Sequence, residues 1–367
     1  MEKKFQYIPS LDVLRGFAVL LVLMLHGSYG YFKGGWVGVD LFFVISGYLI
    51  TTILLNENFS TGKIAIFKFY VRRALRLFPA LIICVLLSNI LWSFTENYEG
   101  ANRWQATIAA LFYFTNFIPG NISGNMAHLW SLAVEEHFYL FWPVLISFFL
   151  SKLYLRYTLF VLTALILAIT AFRICAYHFN FQFLNNLVTI DSFKFTLCRI
   201  DSIILGAILA FVLIQNKYES LAINFKILTF ILVILLASFI FILFTVAEGD
   251  IYLRNGGFII TNLICVLTVW AAVIYPNHFL FSNRMLHWLG KKSYGIYLYH
   301  FPIFMLLEGL RVHHSLSNYL IVTSIRFIAT IIVAELSYRY VELPFLKSKK
   351  RFESSKSDNI HNLKSMQ

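Results

Sequence analysis

Three ionisable residues, Asp12, Arg15 and His26, punctuate the first apolar segment, LDVLRGFAVLLVLMLHG at residues 11–27. Arg15 and His26 are eleven positions apart. On a helix that separation is ~16 Å of rise, and eleven steps of roughly 100° return to within ~20° of the starting direction. An ionisable group inside a membrane span is costly unless paired or wetted. A guanidinium near one end and an imidazole near the other, on one face, therefore suit a polar channel along this helix. The same pair also fits an arginine that snorkels to the surface and a histidine hydrogen-bonded within a bundle.

Three further stretches carry residues able to do chemistry. In GGWVGVDLFFVISGYLI, Asp40 follows His26 across a short glycine-rich turn. It is placed either to fix the tautomer of His26 or to cap the second helix. In FYVRRALRLFP, Arg73 and Arg76 lie three apart with Arg72 beside them. Grouped guanidinium groups suit phosphate contacts, and they equally suit positive-inside anchoring. Pro79 in this stretch predicts a defined helix entry. In HLWSLAVEEHFYLFWP, Glu135 and Glu136 point ~100° apart on a helix. One of them is a candidate general acid or base, or else the partner of an arginine such as Arg199. Lesser candidates are Arg199 and Asp201 in CRIDSIILG and His300 in SYGIYLYHFP. Glu335 and Glu342 in AELSYRYVELP are expected to pair with basic residues.

The elements that must position these groups are membrane helices. Of 367 residues, 59% are hydrophobic and only 13% charged, and the mean hydropathy is +0.73. A soluble domain does not hide that much apolar surface. At roughly 20 residues per span, helices are expected near 11–29, 37–55, 77–94, 128–150, 157–177, 198–215, 224–246, 257–275, 294–310 and 318–340. The chain thus reads as an all-α, polytopic transmembrane bundle of about ten spans. The piece 104–118 is too short for a span and reads as re-entrant or interfacial.

The net charge of +12 is accounted for by lysine and arginine held on one side, not by a nucleic-acid partner. Lys3, Lys4, Lys63, Lys68, Arg72, Arg73, Arg76, Arg284, Lys291, Lys292 and the tail fall on the side of the N-terminus, which places both termini in the cytoplasm. The apolar N-terminal segment, interrupted by Asp12 and Arg15, reads as a retained span and not a cleaved signal. Residues 346–367 read as a polar, basic, disordered tail near anionic lipid. Cys84, Cys175, Cys198 and Cys265 match no metal or disulfide spacing and read as small buried hydrophobes. No internal repeat supports an inverted-repeat transporter.

Taken in order, six pieces resemble the membrane-bound acyltransferase 3 family: the Arg-x10-His pair, GGWVGVDLFFVISGYLI, the Arg-x-x-Arg of FYVRRALRLFP, HLWSLAVEEHFYLFWP, SYGIYLYHFP and the closing VELP. They run from residue 10 to 345, so the likeness covers residues 1–345 as one acyltransferase domain. The resemblance implies a multi-pass protein of the cell inner membrane. Such a protein moves an acyl group, commonly acetyl, from acetyl-CoA in the cytoplasm to a hydroxyl of an extracytoplasmic glycan. Acceptors in the family include the O-antigen of lipopolysaccharide, capsule, exopolysaccharide or a lipid-linked oligosaccharide. Some members carry an added SGNH-type hydrolase-like domain. This sequence ends about 23 residues past Pro344, so transfer is expected to be completed by the membrane domain alone.

Carried onto these positions, the resemblance gives Arg72, Arg73 and Arg76 to the CoA phosphates and Arg15 to the thioester end. His26 becomes general base or transient acyl carrier, with Glu135, Glu136 and Asp40 managing its proton. Trp36, Trp130, Arg199, Asp201 and His300 become candidates for acceptor contacts, and no metal is implied. A transporter or flippase for a glycan or small anion is the alternative activity, because it too places charges in spans. A non-catalytic scaffold leaves Arg15 and His26 unexplained.

Overall fold

The computed structural model describes residues 7–28, 30–95, 99–152, 155–179, 182–183, 188–189, 191–215, 223–310 and 316–349. Lipid offers the backbone no hydrogen-bond partners, so the apolar runs must satisfy their own amides as helices. They do so as α1 (Pro9–Gly27), α2 (Val37–Thr61), α3 (Ile66–Leu91), α4 (Arg103–Leu111), α5 (Gly120–Ser123), α6 (Trp130–Lys152) and α7 (Leu155–Phe179). The second half holds α8 (Thr196–Gln215), α9 (Phe225–Thr245), α10 (Phe258–Ile274), α11 (Arg284–Lys291), α12 (Ser293–Leu306), α13 (Leu316–Ser337) and α14 (Leu343–Lys349). A two-residue antiparallel pairing, Gln182–Phe183 with Val188–Thr189, is the one non-helical pairing among the described residues.

Among the described residues, nine helices are long and apolar enough to cross a membrane. The ninth expected span, 294–310, falls instead on α12, which has 14 residues before a 3-10 turn ends it at Leu310. It is a short inner helix, with Ile296, Leu298, Tyr299 and His300 fully buried. The expected tail lies, from residue 350 on, outside the described residues.

The third span departs most from expectation. It starts at Ile66, so Pro79 lies inside α3 instead of opening it. Arg72, Arg73 and Arg76 are therefore helical residues that reach into the bundle. Proline is tolerated inside a membrane helix when neighbouring groups compensate its missing N–H. The segment after α3 is re-entrant. Asn89 near the end of α3 accepts from Arg103 Nε (2.8 Å) and donates to Thr107 Oγ1 (3.0 Å). Ten residues on from Arg103, Tyr113 meets the ring of Phe78 at 6.0 Å. Asn89 and Phe78 are about 16 Å apart along α3. Thus α4 runs back down α3 before the chain returns to α6.

Glycines set the closest helix approaches, as expected where the hydrophobic effect cannot hold helices together. A Cβ on Gly47 of α2 would lie 1.9 Å from the Ile203 carbonyl of α8, and one on Gly206 of α8 would lie 2.1 Å from the Val44 carbonyl. Overpacking a well-packed interface costs typically ~1–3 kcal/mol. Gly47→Ala should accordingly lower the unfolding midpoint of the detergent-solubilised protein. An unchanged midpoint would show that α2 and α8 are not held at this distance.

Candidate active site

Three histidines from different elements meet at the end of α1. The His26 ring lies 5.2 Å from the His300 ring of α12 and 5.1 Å from Phe301. His128, in the 3-10 turn before α6, lies 5.2 Å from both His300 and Phe301. The cause is local. Pro302 has no N–H, so it leaves the Leu298 carbonyl, four residues earlier, without its helical donor. His128 Nε2 donates to that carbonyl at 3.0 Å, and Cys84 Sγ donates to it at 3.1 Å. His300 Nδ1 donates to the Tyr297 carbonyl at 2.6 Å. These bonds fix the tautomers of the neutral rings, leaving His128 Nδ1 and His300 Nε2 as acceptors. Both atoms are buried without a hydrogen-bond partner among the described residues. His26 makes no hydrogen bond to a described residue and lies within electrostatic reach of Lys194. Beyond the end of α9, burial raises the Glu248 carboxyl above its ordinary value, against the pull of the same lysine.

One turn along α12 from His300, Tyr297 leads toward the start of α1. Its hydroxyl donates to the His128 carbonyl (2.8 Å) and meets Ser131 Oγ at 2.5 Å. The same side chain lines a cavity with Arg15, Ser46, Ser131, Glu135 and Tyr294. Glu135 accepts from Ser46 (3.0 Å) and from Tyr139 (3.1 Å). Arg15 keeps 21% of its side chain exposed and lies 3.9 Å from Asp12. Asp12 also accepts from the Tyr7 hydroxyl and lies 4.0 Å from His287.

Below this cavity the arginines converge. The Arg73 guanidinium sits 3.5 Å from the centre of the Tyr139 ring, with Glu135 and Glu136 in electrostatic reach. Arg76 is in reach of Arg15 and Arg73, and Glu342 of the VELP stretch is in reach of Arg76. Arg15 Nε and Arg73 Nε are buried donors with no acceptor among the described residues. A cavity so rich in donors fits an anionic or carbonyl-bearing ligand.

Several expected members stand apart. Asp40 does not partner His26: it accepts from Arg199 Nη2 at 2.7 Å and from Ser202 at 3.1 Å. Asp201 accepts from Arg173 Nη1 at 2.8 Å and from Asn262 Nδ2 at 3.4 Å, and Asn262 Oδ1 lies 2.9 Å from the Ser202 hydroxyl beside Asp40. The Arg199 guanidinium lies 4.2 Å from the Phe258 ring and 5.6 Å from Trp130. All four charges are nine-tenths or more buried. Asp40 turns toward α8 because glycines bring α2 and α8 together, whereas His26 turns toward α12. Arg199 is thereby committed to Asp40 and not to Glu135 or Glu136. Trp36 is 2% exposed and donates to the Val246 carbonyl at 3.0 Å. Both tryptophans pack on Phe193, as core residues. Arg72 pairs with Glu57 at 3.2 Å. Glu335 pairs with Lys292 at 2.6 Å and with Arg339 at 2.5 Å, as anticipated.

Sequence reading missed His128, Tyr297 and Ser131 as members of the site. A signal existed for Tyr297, which precedes His300 by three residues and so shares its helix face. For His128 the sequence carried only an unexplained ionisable group beside an apolar segment.

Bundle and interior together define a multi-pass membrane protein with a file of buried and half-buried ionisable groups running through it. Residues 8–339 match the acyltransferase domain family, acyltransferase 3, and the chain belongs to that family. It is 34% identical over 372 residues to the O-acetyltransferase OatA of Staphylococcus aureus strain NCTC 8325, covering 95% of this chain and 59% of that protein. It is 32% identical over 366 residues to an O-acetyltransferase-like protein of Staphylococcus aureus strain COL, covering 94% and 58%. The chain thus spans less than two thirds of the length of these relatives. No solved structure matches.

Proposed function

We propose that this chain moves an acyl group, acetyl in the first instance, from a coenzyme A thioester to a hydroxyl of a glycan on the opposite side of the membrane. The observation that carries the reading is the continuous file of polar groups. It runs from Arg76, Arg73 and Arg15, through the cavity at Tyr297 and Glu135, to His300, His128 and His26. The names of the O-acetyltransferase relatives support the same activity. The basic bias of the loops on the side where α1 starts supports a cytoplasmic N-terminus and a donor that arrives there. The end of α1 then faces the acceptor, a surface glycan or a lipid-linked oligosaccharide.

The donor set suits this substrate. Arg73 and Arg76 answer the phosphates of the donor, and Arg72, spent on Glu57, steadies the helix that carries them. Arg15 reaches the thioester end, and its buried Nε has a lone donor to offer the carbonyl oxygen. In the transfer, the acceptor oxygen bonds to the thioester carbon and the carbon–sulfur bond breaks. His26 takes the hydroxyl proton, which ends on the departing thiolate. If His26 instead carries the acyl group in transit, its ring nitrogen bonds to the thioester carbon as the carbon–sulfur bond breaks. That carbon–nitrogen bond breaks in turn as the acceptor oxygen attacks, so the chain given acetyl-CoA without glycan releases CoA and holds the acyl group.

Membranes containing the chain, given labelled acetyl-CoA and the native glycan, should release free CoA and label the glycan. A transporter or flippase leaves the thioester intact, and that result overturns the proposal. Charge-assisted hydrogen bonds contribute ~1.5–3 kcal/mol, so Arg76→Ala should weaken binding of acetyl-CoA by about tenfold or more. Arg15→Ala should lower the transfer rate with less effect on binding. Undiminished binding in the first variant removes the role given to Arg76.

A further inference from the structure

Tyr113 is the one residue other than glycine with positive φ (60°) among the described residues. It follows α4, where Phe114 N–H bonds to the Ala109 carbonyl (2.7 Å) and Tyr113 N–H to the Ala110 carbonyl (3.4 Å). That pair of bonds is the Schellman motif, whose left-handed position ordinarily falls to glycine because a Cβ there is strained. Glycine would close this helix with less strain, so the tyrosine side chain must answer to something else.

The neighbours say what. In the run Phe112-Tyr113-Phe114, the two phenylalanines are 66% and 51% exposed toward the surroundings of the bundle. The left-handed turn sends the middle ring the other way, against Phe78. The His137 ring lies against the Tyr113 carbonyl and ties the turn to α6, next to Glu136. The Tyr113 hydroxyl is buried and has no hydrogen-bond partner among the described residues, and the same is true of Glu136 Oε1. Glu136 and Arg73 are the charged groups within electrostatic reach of that hydroxyl, and Tyr294 of the cavity lies in the same field. Buried polar groups left unpaired are costly and mark places where a ligand completes the bonding.

The two orphans are of opposite kind. A phenol hydroxyl donates and a carboxylate oxygen accepts. A ligand that satisfies both presents an acceptor and an N–H donor side by side, as a secondary amide does. The arm of a coenzyme A thioester carries two such amides between its phosphates and its sulfur. Resting on the acyl-CoA reading above, we infer that Tyr113 and Glu136 bind an amide of the donor's arm, between the arginines that hold the phosphates and the cavity where the thioester reacts. Tyr113 donates to the amide carbonyl and Glu136 accepts from the amide N–H. Strain in the re-entrant turn is retained because it delivers the hydroxyl to that point.

Displacement of labelled acetyl-CoA from the full chain in membranes tests this with two probes. One is pantetheine and the other is its analogue with both amides replaced by esters, which has no N–H. The wild-type chain should prefer pantetheine by about tenfold, the value of one charge-assisted bond. Glu136→Leu should bring that preference close to one. Tyr113→Phe, which keeps the ring, should instead weaken displacement by both probes about fivefold, the value of one neutral hydrogen bond, because ester and amide both present a carbonyl. Equal displacement by both probes in the wild type, an undiminished preference in Glu136→Leu, or undiminished displacement by both probes in Tyr113→Phe overturns the inference. Failure of labelled acetyl-CoA to bind the wild-type chain overturns the acyl-CoA reading itself.

Discussion

His26→Ala lowers acyl transfer by about 10³-fold, the middle of the range for loss of a positioned general base or acid, and leaves acetyl-CoA binding unchanged. The separation follows from distance. His26 is ~16 Å along α1 from Arg15, so the donor's charged end is held by groups the substitution never touches. Stability should change little, because His26 makes ring contacts with His300 and Phe301 but no hydrogen bond to a described residue. The measurements are the rate of glycan labelling and the displacement of labelled acetyl-CoA, on protein shown to be inserted. Full transfer in this variant would sink the proposed mechanism. Loss of donor binding together with transfer would instead place His26 in the donor site.

The second large effect is on the fold. Asp40→Ala leaves Arg199 buried and charged without its carboxylate, and breaking a buried pair on one side costs about 3–5 kcal/mol. Thermal unfolding in detergent should show a steep loss of the folded fraction, with little protein recovered from membranes. The double replacement Asp40→Leu with Arg199→Met removes both charges and should recover most of that stability, since apolar groups of similar volume often substitute for buried pairs at no cost. If the double variant folds and transfers the acyl group, Asp40 and Arg199 are structural. A folded but inactive double variant would return Asp40 to the catalytic set. Ser202 and Asn262 also bond into this network, so recovery should be substantial and not complete.

Much of the molecule was legible along the chain because lipid imposes simple demands. Length and hydropathy located the helices, since every span must be apolar and satisfy its own backbone. The periodicity of a helix put Arg15 and His26 on one face, and in the fold both face α12, through Tyr297 and through His300. The Arg-x-x-Arg stretch and the Glu135–Glu136 pair were visible as ionisable groups that an apolar setting does not tolerate without reason. Such arguments are local, depending only on the chain's neighbours in sequence and on the solvent.

Partner choice was not legible, because it depends on which helices touch. The carboxylate nearest His26 in sequence, Asp40, is taken by an arginine 159 residues away, since glycines bring α2 against α8. The ring neighbours of His26 are His300 and Phe301, and His128 joins them at a carbonyl that Pro302 sets free. Pro79 read as a helix entry and proved internal, since compensation for a missing N–H is supplied by packing. The left-handed Tyr113 could not be read at all, because a helix end gives no sign of whether strain is repaid by a contact elsewhere. Sequence by itself determined that this is a helical membrane protein of the acyltransferase family with charges it must house. Tertiary structure decided which charges pair with each other and which stay unpaired and available, because pairing is a property of distance across the bundle and not of spacing along the chain.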